Sequence, residues 1–264
     1  MTRLRAAFDK AASEQRAALV AYLTFGDPDP ATSIEVVAAA ARAGADVVEL
    51  GVPFSDPSAD GPSIQRAMER ALAAGGSLAG ALDAVAKLRA RGVTTPVVLF
   101  GYYNPVFVMG PAVFAERAAA AGVDAVLTVD LPIDELAELA TPLAARGVGV
   151  IPLVAPTSTP ERIARVAPFD PPFVYYISLT GVTGSRAAAP VDPARLATIR
   201  TASKAPVAVG FGIRTPEDAA RFAPIADGVV VGSALVERVA AGPANGAAER
   251  VAALVRDLAG AMRR

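Results

Sequence analysis

One rhythm runs along the chain: a short β-branched apolar run, a polar or Gly/Pro turn, then an alanine-rich stretch with helical spacing. Strands that alternate with helices pair in parallel and are joined by right-handed crossovers. The pattern predicts strands near Leu19–Phe25, Asp46–Gly51, Pro96–Gly101, Asp124–Val129, Val148–Val154, Phe173–Ser178, Pro206–Gly210 and Gly228–Val231. Helices are expected near 30–43, 62–90, 111–121, 133–146, 159–167, 192–202, 215–224 and 233–262, the two longest broken at Gly75-Gly76 and Gly242-Pro243. The strands are apolar on both faces, as they are when helices cover one side and a packed interior fills the other. Eight such units in 264 residues fit a closed (β/α)8 TIM barrel, for which roughly 250 residues is usual. An open doubly wound sheet is the alternative. The expectation is a single barrel domain over 1–264 with an extra N-terminal helix, whose Leu4 and Phe8 share a face that could plug the bottom.

Local signals agree. Thr159-Pro160 and Thr215-Pro216 each set an N-cap hydroxyl before a proline at the first helical position. Gly44, Gly122 and Gly147 precede strands where a helix must end in a left-handed residue. The 25 basic and 26 acidic residues form no basic stripe, which excludes nucleic acid and an anionic membrane as partners. No apolar run approaches the roughly 20 residues that span a bilayer, and Met1 to Arg16 does not read as a signal peptide, so a cytoplasmic protein is expected. The chain has neither cysteine nor histidine. Thiolate nucleophiles and cysteine–metal sites are thereby excluded, a zinc-dependent aldolase is argued against, and proton transfer falls to Asp, Glu, Tyr, Lys or held water.

Barrel active sites lie where the strands end. Within the second predicted strand stands Glu49, followed by Gly51-Val52-Pro53-Phe54-Ser55-Asp56-Pro57 and Asp60-Gly61-Pro62. A carboxylate inside an apolar strand is costly and needs a partner or a purpose. Glu49 is therefore either catalytic or turned outward to a helix arginine. Asp60 is either a second site carboxylate or the N-cap of the helix starting at Pro62, and Asp56 reads as a turn residue. Glycines gather after the sixth, seventh and eighth strands: Gly181 and Gly184, Gly210 and Gly212, and Gly232 beside Ser233. Glycine lets backbone N–H groups approach an anion, and a helix N-terminus adds partial positive charge, so these loops predict a phosphate site. The three lysines, Lys10, Lys87 and Lys204, all lie away from strand ends, which argues against a Schiff base. Tyr102 and Tyr175 lie near strand ends, as core residues or as direct participants.

These segments resemble the alpha subunit of tryptophan synthase. The likeness runs through Leu23-Thr24-Phe25-Gly26-Asp27-Pro28, the stretch from Glu49 to Pro62, Tyr102-Tyr103-Asn104-Pro105, Asp130-Leu131-Pro132, Ser178 to Gly184, Gly210 to Ile213, and Val231-Gly232-Ser233. The resemblance implies retro-aldol cleavage of indole-3-glycerol phosphate to indole and glyceraldehyde 3-phosphate. It implies Glu49 as acid–base residue, Asp60 as acceptor of the indole N–H, and Tyr175 in support. Gly184, Gly212, Gly232 and Ser233 would hold the phosphate; Tyr22, Leu99, Leu127, Leu153 and Phe211 would wall the indole. Gly181 and Thr183 would belong to a mobile loop. Tyr22 stands where some members carry Phe, and Leu179 where some carry Arg. The resemblance further implies no cofactor in this chain and a beta-subunit partner carrying pyridoxal phosphate in an αββα heterotetramer, with Pro53, Phe54 and Tyr103-Asn104-Pro105 as contact points.

Three competing readings differ in class. Indole-3-glycerol phosphate synthase would call for a strand-end lysine. A non-catalytic activator of a beta subunit would not need both Glu49 and Asp60. A stand-alone lyase would release indole quickly without a partner.

Overall fold

The computed structural model describes residues 2–177, 191–210 and 212–263. Nine strands make one parallel sheet: β1 (Ala18–Thr24), β2 (Val47–Gly51), β3 (Val97–Gly101), β4 (Ala125–Thr128), β5 (Gly149–Val150), β6 (Leu153–Val154), β7 (Val174–Ile177), β8 (Val207–Gly210) and β9 (Gly228–Val231). They are ordered β5-β4-β3-β2-β1-β9-β8-β7-β6. The strand expected without interruption near 148–154 is in fact two pieces, β5 and β6, on either side of Ile151-Pro152, where proline has no N–H to give a ladder. β5 pairs with β4 and β6 with β7, so one segment of chain joins the two ends of the sheet and closes the barrel.

Helices alternate with the strands: α1 (Arg3–Ser13), α2 (Pro30–Ala43), α3 (Pro62–Ala73), α4 (Leu78–Ala90), α5 (Tyr103–Met109), α6 (Pro111–Ala121), α7 (Ala137–Ala144), α8 (Pro160–Ala164), α9 (Pro193–Ser203), α10 (Pro216–Phe222), α11 (Ser233–Ala240) and α12 (Ala247–Ala261). The breaks expected at Gly75-Gly76 and Gly242-Pro243 fall between α3 and α4 and between α11 and α12. Gly44 and Gly122 end their helices with φ of 115° and 83°. Two helices differ from expectation. α5 occupies a stretch read as loop, and the helix expected from 133 starts only at Ala137. The turns before Ala137 are closed by tighter i→i+3 bonds, from the N–H of Glu135 to Pro132 and of Leu136 to Ile133. Among the described residues no single helix is long and apolar enough to cross a membrane.

Strand alternation divides the core into two layers. Val20, Tyr22, Val47, Val98, Phe100, Ala125 and Leu127 pack inside the barrel. Leu19, Leu23, Val48, Leu50, Val97 and Leu99 pack outward against the helices. α1 closes the bottom, with Leu4 and Phe8 in the inner layer and the Phe8 ring 5.1 Å from that of Phe173. A Cβ on Gly228 would stand 3.0 Å from the Phe8 ring, so the plug needs glycine there.

The bottom of the barrel repeats one polar device. Asp46 accepts the Leu19 N–H at 2.8 Å and is held by Arg16. Asp124 accepts the Val97 N–H at 2.8 Å and is held by Arg89 and Arg3, each at 2.7 Å. Asp227 accepts the Val207 N–H at 2.9 Å and is held by Arg200 at 2.6 Å. In each case a carboxylate just before one strand satisfies an amide at the start of its neighbour, and an arginine balances the charge.

Candidate active site

A cavity of about 110 Å³ opens at the C-terminal ends of the strands. Its wall includes Tyr22 from β1, Glu49 from β2, Phe100 from β3, Tyr175 and Ile177 from β7, and Val230 from β9. Asp60, Ile64, Leu153, Gly212, Arg214, Gly232 and Ser233 complete much of the rest. The wall is largely apolar, and it carries two carboxyls and the start of one helix.

Glu49 is held on the inner face by register: it pairs with Tyr22 on β1 and with Val98 on β3, both inner-layer residues. The outward reading is thereby excluded. The residue is fully buried, and among the described residues neither carboxyl oxygen has a hydrogen-bond partner. Burial pushes its pKa up to about 8, because no nearby group favours the anion. At neutral pH it carries its proton.

Asp60 does not cap α3. Gly61 occupies the N-cap and makes no side-chain bond. The Asp60 carboxyl instead accepts the Tyr102 hydroxyl at 2.7 Å, while that hydroxyl accepts the Ala59 N–H at 3.0 Å. Burial raises its pKa to about 6 and the Tyr102 bond works the other way. Phe54 stacks on Tyr102 with centroids 4.9 Å apart, fixing the ring that fixes Asp60. Two neighbouring carboxyls thus differ: one proton-bearing, the other largely ionised at neutral pH. Such divergence marks a pair suited to separate acid–base roles.

Tyr22 and Tyr175 are seated alike. Each leans over a glycine on the next strand, two residues beyond its register partner: Tyr22 pairs with Glu49 and covers Gly51, and Tyr175 pairs with Ala208 and covers Gly210. A Cβ on Gly51 would lie 2.2 Å from the Tyr22 hydroxyl oxygen, and one on Gly210 would lie 2.0 Å from that of Tyr175. Both phenols are pushed well above the usual tyrosine pKa, first by burial.

α11 begins at Ser233, directly after Gly232, and Gly212, which holds φ at 69°, lines the same cavity. The first amides of a helix have no intrahelical acceptor and favour an anion. Arg214 also lines the cavity and pairs with Glu237 of α11, which accepts the Ser63 hydroxyl of α3 at 2.7 Å. Sequence reasoning passed over Arg214, Ile64 and Phe100, and it left the role of Tyr102 open; strand-end position was the one signal available for Tyr102.

Glu49, Asp60, Tyr175, Gly212, Gly232, Ser233, Tyr22 and Leu153 come together around this cavity. Leu127 packs in the inner layer but does not line the cavity. Leu99 is a correction: it packs outward against the helices, and Phe100 takes the wall position, because β3 is in register with Glu49 through Val98 and alternates from there. Gly181, Thr183, Gly184 and Phe211 lie outside the described residues.

A TIM barrel with a proton-bearing glutamic acid, a second buried carboxyl and a glycine-lined helix start at its C-terminal end defines a class: an acid–base enzyme for a small phosphorylated substrate. The family model of the tryptophan synthase alpha chain matches residues 8–263, and the chain belongs to that family. It is 51% identical over 259 residues to the tryptophan synthase alpha chain of Dechloromonas aromatica (strain RCB), covering 98% of this chain and 97% of the relative. It is 49% identical to that of Alkalilimnicola ehrlichii, covering 100% and 96%. Among solved structures, a tryptophan synthase from Mycobacterium tuberculosis aligns with TM-score 0.90 at 40% identity over 100% of this chain and 99% of the other. Subunit alpha from Legionella pneumophila str. Paris aligns with TM-score 0.89 at 35% identity over 99% and 98%. The chain is accordingly a carbon–carbon lyase of tryptophan biosynthesis that acts on indole-3-glycerol phosphate, and its family implies a beta-subunit partner.

Proposed function

We propose that Glu49 is the acid and base of the cleavage and that Asp60 steadies the ring nitrogen. The observation that carries this reading is the Glu49 carboxyl: fully buried, without a partner, and proton-bearing in a largely apolar cavity. Its proton passes to indole C3, turning the ring into an electron sink. The resulting carboxylate takes the proton of the glycerol hydroxyl beside C3. The bond between the ring and the glycerol carbon then breaks, its electrons return to the ring as indole, and the carbinol becomes the aldehyde of glyceraldehyde 3-phosphate. Asp60, largely ionised, accepts the indole N–H and offsets the positive charge that develops there.

Gly212, Gly232 and Ser233 hold the phosphate at the start of α11, and the family likeness adds Gly184 to that set, with Gly181 and Thr183 acting beside it. Tyr175 supports Glu49 and the substrate. Tyr22, Leu153 and Phe100, with Leu127 beneath and Phe211 alongside, wall the ring. The chain uses no cofactor of its own and works in the cytoplasm as one barrel domain. It pairs with a beta subunit, which carries pyridoxal phosphate, in an αββα heterotetramer. The rim of α5 and α6 supports a docked partner: Phe107, Val108 and Val113 are 61%, 78% and 53% exposed there, beside Tyr103-Asn104-Pro105. Exposed apolar side chains gathered in one place mark interaction surfaces.

The test is indole release from indole-3-glycerol phosphate by the purified chain, alone and with a tryptophan synthase beta subunit. Slow release that rises sharply with the partner is expected. Fast release alone would make this a stand-alone lyase, and no release in either condition would overturn the assignment of roles.

A further inference from the structure

Three segments that build the cavity meet on one carboxyl, that of Glu237, which is not among the described residues lining it. Glu237 lies in α11 four residues after Ser233, hence on the helix face that carries Ser233. One of its carboxyl oxygens accepts the Ser63 hydroxyl of α3 at 2.7 Å. The other pairs with the Arg214 guanidinium. Ser63 stands three residues after Asp60, and the Gln65 side-chain amide in the same turn donates to the Asp60 carbonyl at 2.9 Å. Arg214 stands two residues after Gly212. Ile64, between Ser63 and Gln65, lies against the start of α11: a Cβ on Gly232 would be 3.7 Å from its Cδ1. Burial works against the charged form of Glu237, but the Ser63 hydroxyl and the Arg214 guanidinium outweigh it and hold the carboxyl below its ordinary range. A carboxylate one turn into a helix whose start takes an anion would repel that anion, and Arg214 offsets this. The Arg214 and Glu237 side chains are 38% and 41% exposed, so their pairing adds little to folding stability. What the pairing does is join the Asp60 segment, the Gly212 turn and the start of α11 through one group.

We propose that Glu237 is a positioning residue for the cleavage: by holding Ser63 and Arg214 at once, it fixes the spacing between Asp60 and the cradle of Gly212, Gly232 and Ser233. The inference rests on reading those two places as the indole and phosphate ends of one site. A ligand that spans both ends gains from the second contact only while the ends keep the spacing of its own atoms. A fragment that occupies one end is indifferent to that spacing. The clasp therefore acts on the joined ligand and not on either half alone.

The experiment measures by calorimetry the binding of three ligands to the parent chain, Glu237→Ala, Ser63→Ala and the double variant, with thermal unfolding as a check on folding. The ligands are indole, glycerol 3-phosphate, and a non-cleavable compound in which a three-carbon chain joins the indole ring to a phosphate. The readout is the affinity of the joined compound divided by the product of the two fragment affinities. Glu237→Ala is expected to lower that ratio roughly tenfold, in keeping with a misplacement of less than about 1 Å. Ser63→Ala is expected to lower it less, and to add nothing once Glu237 is gone. A role of Glu237 through charge alone would tighten glycerol 3-phosphate and the joined compound equally and leave the ratio unchanged. An unchanged ratio in folded Glu237→Ala therefore overturns the proposal, as does a Ser63→Ala loss that persists in full in the double variant. If Glu237→Ala does not fold, Ser63→Ala carries the test, and an unchanged ratio there overturns the proposal in the same way. Failure of the parent to bind indole or glycerol 3-phosphate would instead bring down the reading of the two ends, and the positioning role with it.

Discussion

At the bottom of the barrel, Asp46, Asp124 and Asp227 each hold an amide at the start of a neighbouring strand and each face an arginine. At the top, among the described residues, the Glu49 carboxyl has no hydrogen-bond partner and the Asp60 carboxyl accepts the Tyr102 hydroxyl. The same functional group therefore serves opposite ends. Fully partnered, a carboxylate fastens structure. Stripped of partners and buried, it keeps its proton near neutrality and becomes able to exchange it. The difference separates stability from chemistry along the barrel axis, as this fold commonly does.

The comparison is broken most severely at Glu49. Glu49→Gln is expected to lower indole release by roughly a thousandfold, in the range for loss of a general acid–base group. It should not cost stability. Burial raises the parent's Glu49 pKa from the ordinary carboxyl value of 4.5 to about 8. The stability linked to that proton is present below about 4.5 and is lost as pH rises through about 8. Gln has no proton to lose, so urea unfolding at pH 5 and pH 9 should show the variant's stability declining less. A steeper decline in the variant would contradict the buried, proton-bearing state.

Asp124→Ala tests the opposite end. It strands Arg89, whose side chain is 15% exposed, and leaves the Val97 N–H without its acceptor. A loss of about 3 kcal/mol is expected, at the low end for breaking a buried pair because Arg89 keeps three backbone carbonyl partners. Indole release per folded molecule should be unchanged, and a selective fall in rate without a fall in stability would blur the division. The mildest change is Tyr102→Phe. It removes the bond that holds Asp60 down, so the Asp60 pKa should climb above about 6 and the acidic limb of the pH–rate profile should move the same way. A few-fold loss at pH 7 that vanishes at higher pH is expected; a loss equal at all pH values would mean that Tyr102 only braces the loop.

The barrel was legible because its signals are local. Turn glycines, N-cap threonines and apolar strand runs are each read within a few residues, and the plug helix showed itself through Leu4 and Phe8. What stayed hidden depends on partners distant in sequence. Leu99 and Phe100 are both apolar, and only the pairing of Val98 with Glu49 decides which one faces inward. The β5–β6 break hinges on one proline within an otherwise suitable strand. α5 contains Pro105 and β-branched residues that discourage helix in isolation, and it forms while packing against α6. The carboxyls themselves could be picked out as misfits, but their contrasting protonation came only with the partners each one has or lacks.

The glycines beneath the two site tyrosines constrain how this sequence can drift. With an aromatic ring at 22, a side chain at 51 would collide not only with the hydroxyl but also with Cζ, at 2.6 Å, so exchanging tyrosine for phenylalanine gives no relief. The same holds at 210, where Cζ of Tyr175 would lie 2.4 Å from a new Cβ. Substitution at either pair therefore has a direction: the ring must shrink before the glycine can grow, and a lineage that tries the reverse order passes through a barrel whose adjacent strands have been forced apart at the active site.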